Sequence, residues 1–384
     1  MLTKNIKLKS FNKSNLKEII KKKLELIIKG KSQLIKSLSK EYKDKYDFKK
    51  IKKIFGKNDV RLIGMGGSIL GSQAIYYFLK EKIKKKFFFI DNLTSSKKNY
   101  HKSKINNLII SKSGNTLETI FNVHTYVKNN GNNIVITENK PSYLRELATK
   151  LKSEIIHHNN FIGGRYSVLS EVGMLPAELM GLNPKKFRQL DNLIKNKNFL
   201  NKLINNTSSI LDFSKKKKFN SVIINYDYKS DYLFRWYQQL VAESLGKKGK
   251  GILPIISTMP KDNHSVMQLY LDGFKNNFFT IFYCKEIFSK KLNKNKLLDT
   301  YKYLGSQNID NIIFNQKSAT EKIFKMKNIP FRSFEIRNRN EKTLGELFCY
   351  FILETILLGR ALNVNPFDQP SVALLKEETK KLFS

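Results

Sequence analysis

Five short apolar runs mark the first half of the chain: VRLIG (60–64), KFFFI (86–90), NLIIS (107–111), NIVIT (133–137) and EIIHH (154–158). Each has the length of a buried strand, and segments with helical spacing separate most of them. Strand–helix alternation predicts a parallel sheet with crossover helices. A second set follows at SVIINY (221–226), NFFTIFYC (277–284), NIIFN (311–315) and FRSFEI (331–336), again with helices between. Residues 14–42 carry apolar positions at helical spacing among lysines and predict one or two surface helices. Residues 168–206 read as helical and connecting, and two helices are expected at 340–361 and 371–382. The expected fold class is α/β, two doubly wound parallel-sheet domains with flanking helices. The expected division is an N-terminal helical segment at 1–50, α/β domains at 51–190 and 205–345, and C-terminal helices at 346–384, with the junction near 185–215.

Composition changes this picture little. A chain of 384 residues with 41% hydrophobic content can bury a sizeable core. The net charge of +39 first suggests nucleic acid. The lysines are spread along the chain, however, with no basic cluster interleaved with aromatics, so no specific nucleic-acid partner is expected. Lys, Asn and Ile are all frequent, as A/T-rich codons would make them. Both cysteines, Cys284 and Cys349, lie in apolar surroundings and read as core residues, which fits a reducing compartment. The N-terminal stretch lacks the apolar core of a signal peptide. The most apolar long stretch, LFCYFILETILL, contains Glu354 and is too short to span a bilayer. A cytoplasmic protein without a membrane partner is expected.

Two turns at the ends of expected strands could carry chemistry. The first is GMGGSILG (64–71), a Gly-rich strand-to-helix turn able to bring backbone N–H groups close to a ligand. It is not a dinucleotide fingerprint, because Ile69 stands where the third glycine would be. The second is SKSGNTLET (111–119), crowded with hydroxyls. Serine, glycine, asparagine and threonine are ordinary turn and cap residues, and Asn115 with Glu118 three positions later fits an N-cap with its capping-box partner. A helix N-terminus also stabilises a phosphate, and small hydroxyls add donors without bulk. Ligands of open α/β sheets sit at the carboxyl ends of the strands, so two such turns on one sheet favour a small phosphorylated ligand.

Further candidates lie downstream. Arg165 follows two glycines in GGRYSVLSEVG and could hold a phosphate or an oxyanion. Glu171 and Glu178 read as helix-face residues. Gln239 and Glu243 are four apart and share a helix face. Apolar neighbours would partly bury Glu243, suiting it to general-base work. His264 lies in KDNHSVMQ, and Lys376 follows the turn NPFDQPS. His101 and His124 are isolated, and no His or Cys pair has metal-ligand spacing, so a metal-dependent mechanism is not expected.

GMGGSILG, SKSGNTLET, GGRYSVLSEVG, QQLVAES, KDNHSVMQ and DQPSVALLK occur in this order, and together the set resembles the glucose-6-phosphate isomerase family in its bacterial form. The resemblance runs from about residue 60 to 380. It implies two sugar-isomerase (SIS-type) domains, a homodimer with a shared active site, and aldose–ketose isomerisation of a sugar phosphate with neither metal nor organic cofactor. By the same resemblance, Ser111, Lys112, Ser113 and Thr116 match the phosphate-binding loop, Gly67 and Ser68 the turn lining the sugar, and Gln239 a substrate contact. Glu243 matches the catalytic base and Arg165 the arginine that stabilises the enediolate. His264 and Lys376 match the pair associated with ring opening, the histidine coming from the neighbouring subunit. The chain is short for the family and lysine-heavy at its N-terminus, and Pro370-Ser371 stands in the last motif where many members differ. Two other readings are a non-catalytic phosphosugar-binding regulator and an isomerase of a related sugar phosphate such as mannose 6-phosphate.

Overall fold

The computed structural model describes residues 1–12, 15–30, 32–94, 105–128, 131–286, 289–293, 295 and 297–383; His101 lies outside them. The apolar runs of the first half form a five-stranded sheet. Its strands are β2 (Asp59–Gly64), β3 (Phe87–Ile90), β4 (Ile105–Ile110), β5 (Asn133–Thr137) and β6 (Glu154–His157), in spatial order β3-β2-β4-β5-β6. All four pairings are parallel. β5 is buried at every position, as expected of a strand covered by helices on both faces.

The second sheet has the order β1-β10-β9-β7-β8. β7 (Asn220–Asn225), β8 (Leu253–Thr258), β9 (Asn277–Cys284) and β10 (Phe331–Ile336) run parallel, whereas β1 (Ile6–Lys9) adds an antiparallel edge, Ile6 opposite Ile336. The run NIIFN is not a strand: residues 311–315 lie inside helix Ile309–Met326. Asn308 caps that helix, its side-chain oxygen accepting from Asn311 N at 2.8 Å, and so starts a helix where a short apolar run alone would also fit a strand.

Two helices join the halves. Helix Glu341–Ala361 is buried from Thr343 to Gly359, as a helix apolar on nearly all sides must be. It carries Glu354, which accepts from Arg332 Nη2 of β10 at 2.9 Å in a fully buried ion pair. Helix Asp231–Leu245 packs against helix Leu70–Phe78 of the first half, where Tyr77 and Tyr232 stack at 4.4 Å between ring centroids. A single hydrophobic cluster takes in residues of both sheets, from Leu62 and Ile110 to Phe282 and Phe334. Among the described residues, no helix is long and apolar enough to cross a membrane.

Candidate active site

β2 ends in a turn that only glycine can make. Gly66 has φ +51°, and a Cβ there would stand 2.7 Å from Gln239 Nε2. A Cβ on Gly67 would run into the backbone of Gly164 and Arg165. The two glycines thus let three segments meet: the 66–68 turn, the 163–165 turn and helix Asp231–Leu245. Ser68 is buried beside them.

Arg165 is the hub of this meeting and is 2% exposed. Its Nε donates to Ser244 Oγ at 2.9 Å, and its Nη1 to Glu243 Oε2 at 3.1 Å and to Gln369 Oε1. Its Nη2 donates to the carbonyls of Pro366 (2.8 Å) and Asp368 (3.0 Å). All the guanidinium's donor directions are therefore occupied. Tyr166 OH, whose pKa is pushed up by burial, shares Ser244 and the Pro366 carbonyl. Gln239 Nε2 donates to Glu243 Oε1 at 2.9 Å, so each oxygen of Glu243 has its own partner. The Glu243 side chain keeps 27% of its surface exposed, against 1% for Arg165. Glu243 and Gln239 line a cleft of about 530 Å³ with Leu70, Asp91, Arg235 and Gln238.

The hydroxyl-rich loop follows β4. Ser111 Oγ lies 3.0 Å from Thr116 Oγ1, and Ser113 Oγ accepts from Asn115 N at 3.3 Å. Gly114 has φ +69°, and a Cβ there would collide with Ser142. Helix Leu117–Tyr126 begins after Thr116, not Asn115, and Thr116 makes no side-chain cap bond. The side-chain oxygen of Asn115 accepts from Tyr143 N at 2.9 Å, pinning the loop to the next helix and leaving it unavailable as a cap. The first-turn N–H groups of helix Leu117–Tyr126 are therefore unsatisfied by the expected cap and point where an anion is favoured. Lys112 faces away: its Nζ donates to Asn160 O at 3.0 Å and pairs with Glu138 at 3.4 Å. Behind the loop, burial pushes the pKa of His158 down to about 4.

The structure brings together Gly67, Arg165, Gln239 and Glu243, and sets Ser111, Ser113 and Thr116 in the loop after the neighbouring strand, β4. It does not bring His264 or Lys376 into contact with Glu243. His264 is exposed on the turn Lys261–His264 after β8, and Lys376 is exposed on helix Pro370–Lys381, which buries none of its residues. Glu171 and Glu178 are tied to the tyrosines of the 42–46 loop: Tyr42 OH donates to Glu171 at 3.0 Å and Tyr46 OH to Glu178 at 3.0 Å. Sequence reasoning missed Gln369 and Ser244, both bonded to Arg165. Gln369 stands in the quoted DQPS motif, but its contact with a residue 204 positions away has no local signal.

The sequence pattern described as phosphoglucose isomerase matches residues 27–252. A glucose-6-phosphate isomerase of Methanocaldococcus jannaschii is 33% identical over 357 residues, 87% of this chain and 85% of the relative. A second, from Mycoplasmopsis pulmonis, is 32% identical over 84% of this chain and 82% of its own length. Among solved structures, a hypothetical protein of Thermus thermophilus superposes with TM-score 0.82 at 21% identity, covering 96% of this chain and 95% of its own. A glucose-6-phosphate isomerase of Chlamydia trachomatis gives TM-score 0.72 at 16% identity, covering 96% and 83%. At those identities the two structures speak for the fold, whereas the family pattern over more than half the chain speaks for descent: this chain belongs to the phosphoglucose isomerase family.

Proposed function

We propose that this protein interconverts glucose 6-phosphate and fructose 6-phosphate by moving a proton between C2 and C1 through an enediolate, with no metal ion taking part. The observation that carries this reading is the contact of Arg165, Gln239 and Glu243 beside the 66–68 turn, in a chain whose relatives bear that enzyme's name. Glu243 is the base: its carboxylate is partly exposed to the cleft and aimed by Gln239 and Arg165. It takes the C2 proton and returns it to C1. Arg165 keeps a fixed positive charge beside the oxygen on which negative charge develops, and the oxyanion competes for the Nη1 position now shared by Glu243 and Gln369. Ser111, Ser113 and Thr116, with the N-terminus of helix Leu117–Tyr126, hold the phosphate, joined by Lys112 once it leaves Glu138. Gly67 and Ser68 line the sugar.

Ring opening needs an acid and a base. We assign these to the partner subunit's His264 and to Lys376, which makes the active unit a homodimer. The exposure of both side chains in the single chain is consistent with groups that meet substrate across an interface. Residues 51–190 and 205–345 are read as the two sugar-isomerase domains, flanked by 1–50 and 346–384. A reducing cytoplasm suits the two buried free thiols. The non-catalytic regulator is not favoured, since such a protein has no need of the aimed Glu243. Purified protein supplied with fructose 6-phosphate in excess chelator should form glucose 6-phosphate. Mixing His264→Ala with Glu243→Gln chains, each inactive, should restore part of the turnover; absence of turnover in the unaltered protein would contradict the reaction, and a failed mixture the shared site.

A further inference from the structure

Arg165 depends on a segment that is itself lightly held. Three of its acceptors, the carbonyls of Pro366 and Asp368 and the side-chain oxygen of Gln369, belong to one turn after helix Glu341–Ala361. Asn365, Phe367, Asp368 and Gln369 are all exposed. Tyr166 supports the middle of this turn, its OH on the Pro366 carbonyl at 3.0 Å and its ring 5.8 Å from that of Phe367. Lys247 holds both sides of it. Its Nζ donates to Asn365 O at 2.5 Å and pairs with Asp368 Oδ1 at 3.0 Å. The third hydrogen goes to Ser244 O at 3.1 Å, on the residue whose Oγ accepts from Arg165. An ammonium has three donors, so all are used, and the side chain is only 10% exposed. Lys247 is set in place by GKKGKG (246–251), which closes as a tight turn. Lys247 and Lys250 exchange backbone bonds there at 3.0 and 2.9 Å, and Gly249 takes φ +66°. The Lys250 side chain points elsewhere and donates to Leu362 O at 2.8 Å.

We propose that Lys247 is a positioning residue for the reaction: it fastens the 365–369 turn to the end of helix Asp231–Leu245 and so keeps the Arg165 guanidinium aimed beside Glu243. It acts through Arg165 and not on the substrate. The inference rests on the isomerase reading above, in which Arg165 stabilises the developing oxyanion. Without the ammonium, Asn365 and Asp368 lose their shared anchor. Gln369 and the two carbonyls then shift with the turn, and Nη1, the position for which the oxyanion competes, is no longer fixed. A misplacement of about 1 Å at such a group costs on the order of 10²-fold in rate.

The test is steady-state turnover of fructose 6-phosphate by the unaltered protein and by Lys247→Met, Lys247→Arg, Asp368→Asn and Lys250→Met. Beside it, nitrogen-15 NMR follows deuterium exchange of the Arg165 Nε–H, assigned with Arg165→Lys. Lys247→Met should lose about 10- to 100-fold in kcat, with KM and inhibition by inorganic phosphate nearly unchanged, and its Arg165 Nε–H should exchange faster. Lys247→Arg should recover most of the loss. Asp368→Asn should show a smaller loss in the same direction, and should add little to Lys247→Met because the two act on one contact. Lys250→Met, which leaves the 365–369 turn untouched, should keep both kcat and exchange. Full kcat and unchanged exchange in Lys247→Met, or in Asp368→Asn should Lys247→Met not fold, would overturn the assignment and leave the isomerase reading standing. Faster exchange that follows Lys247, in a protein that does not turn over, would uphold the link from Lys247 to Arg165 and remove that reading.

Discussion

The two sheets share an architecture but finish their carboxyl edges in opposite ways. At the rim of the second sheet the polar groups satisfy one another. Asp227, after β7, holds Arg339 through Nη2 at 2.8 Å and also Ser230. Asn225, Asp231 and Thr258 close a second knot, and Lys229 pairs with Glu286 at 2.8 Å. At the rim of the first sheet the residues are small: Gly66, Gly67 and Ser68 after β2, and Ser111, Ser113 and Gly114 after β4. Backbone there can approach a ligand, and donors stay available for one. A shared fold does not give each copy a site; the candidate site lies at the rim whose residues are small and whose helix, Leu117–Tyr126, starts without a side-chain cap.

The two arginine–glutamate pairs draw the same contrast. Arg332 and Glu354 are 0% and 1% exposed, whereas Arg165 and Glu243 are 1% and 27%. The first pair can only hold the core together. The second leaves its carboxylate open to a cleft, as a base requires.

Breaking the core pair should give the largest loss of stability. Glu354→Gln strands a buried guanidinium and is expected to cost about 3–5 kcal/mol in urea denaturation, while kcat of the protein that remains folded stays near its original value. The next effect belongs to the first sheet alone. His158 is fully buried with a pKa near 4, so between pH 6.5 and 4 the unfolded chain takes up a proton that the folded one refuses. Its contribution is fully present above pH 6.5 and is lost as pH falls through that window. On acidification from pH 7 to 4 the unaltered protein should therefore lose about 3 kcal/mol more than His158→Leu; equal losses would show that the imidazole carries no such load. Smaller again is Gly67→Ala, whose added methyl meets the 164–165 backbone. It should cost about 1–3 kcal/mol in denaturation and lower kcat/KM. No change in either would mean that the two turns need not approach so closely.

Much of this was legible in the sequence for physical reasons. Runs such as NIVIT and NFFTIFYC are long, apolar and rich in residues that suit buried strands, and both became strands as read. NIIFN failed because a five-residue apolar run fits a helix equally well when a cap precedes it. β1 went unseen because IKLK is short and alternates with lysine, and β8 because Leu253–Thr258 opens with an exposed leucine and a proline at the sheet edge. At the site, Gln239–Glu243 and the hydroxyl loop are local patterns and were readable. The bonds of Arg165 to Ser244 and Gln369 join positions far apart in sequence, and the engagement of Lys112 by Glu138 depends on how β4 and β5 lie together.

The central claim is that Glu243 moves the proton. Its most direct test is kcat for fructose 6-phosphate in Glu243→Gln beside Glu354→Gln, with denaturation of both. The account predicts that Glu243→Gln, whose partly exposed side chain can still accept from Arg165, loses less stability than Glu354→Gln but about 10²–10⁴ in kcat, while Glu354→Gln keeps kcat. Near-normal turnover in a folded Glu243→Gln protein would contradict it.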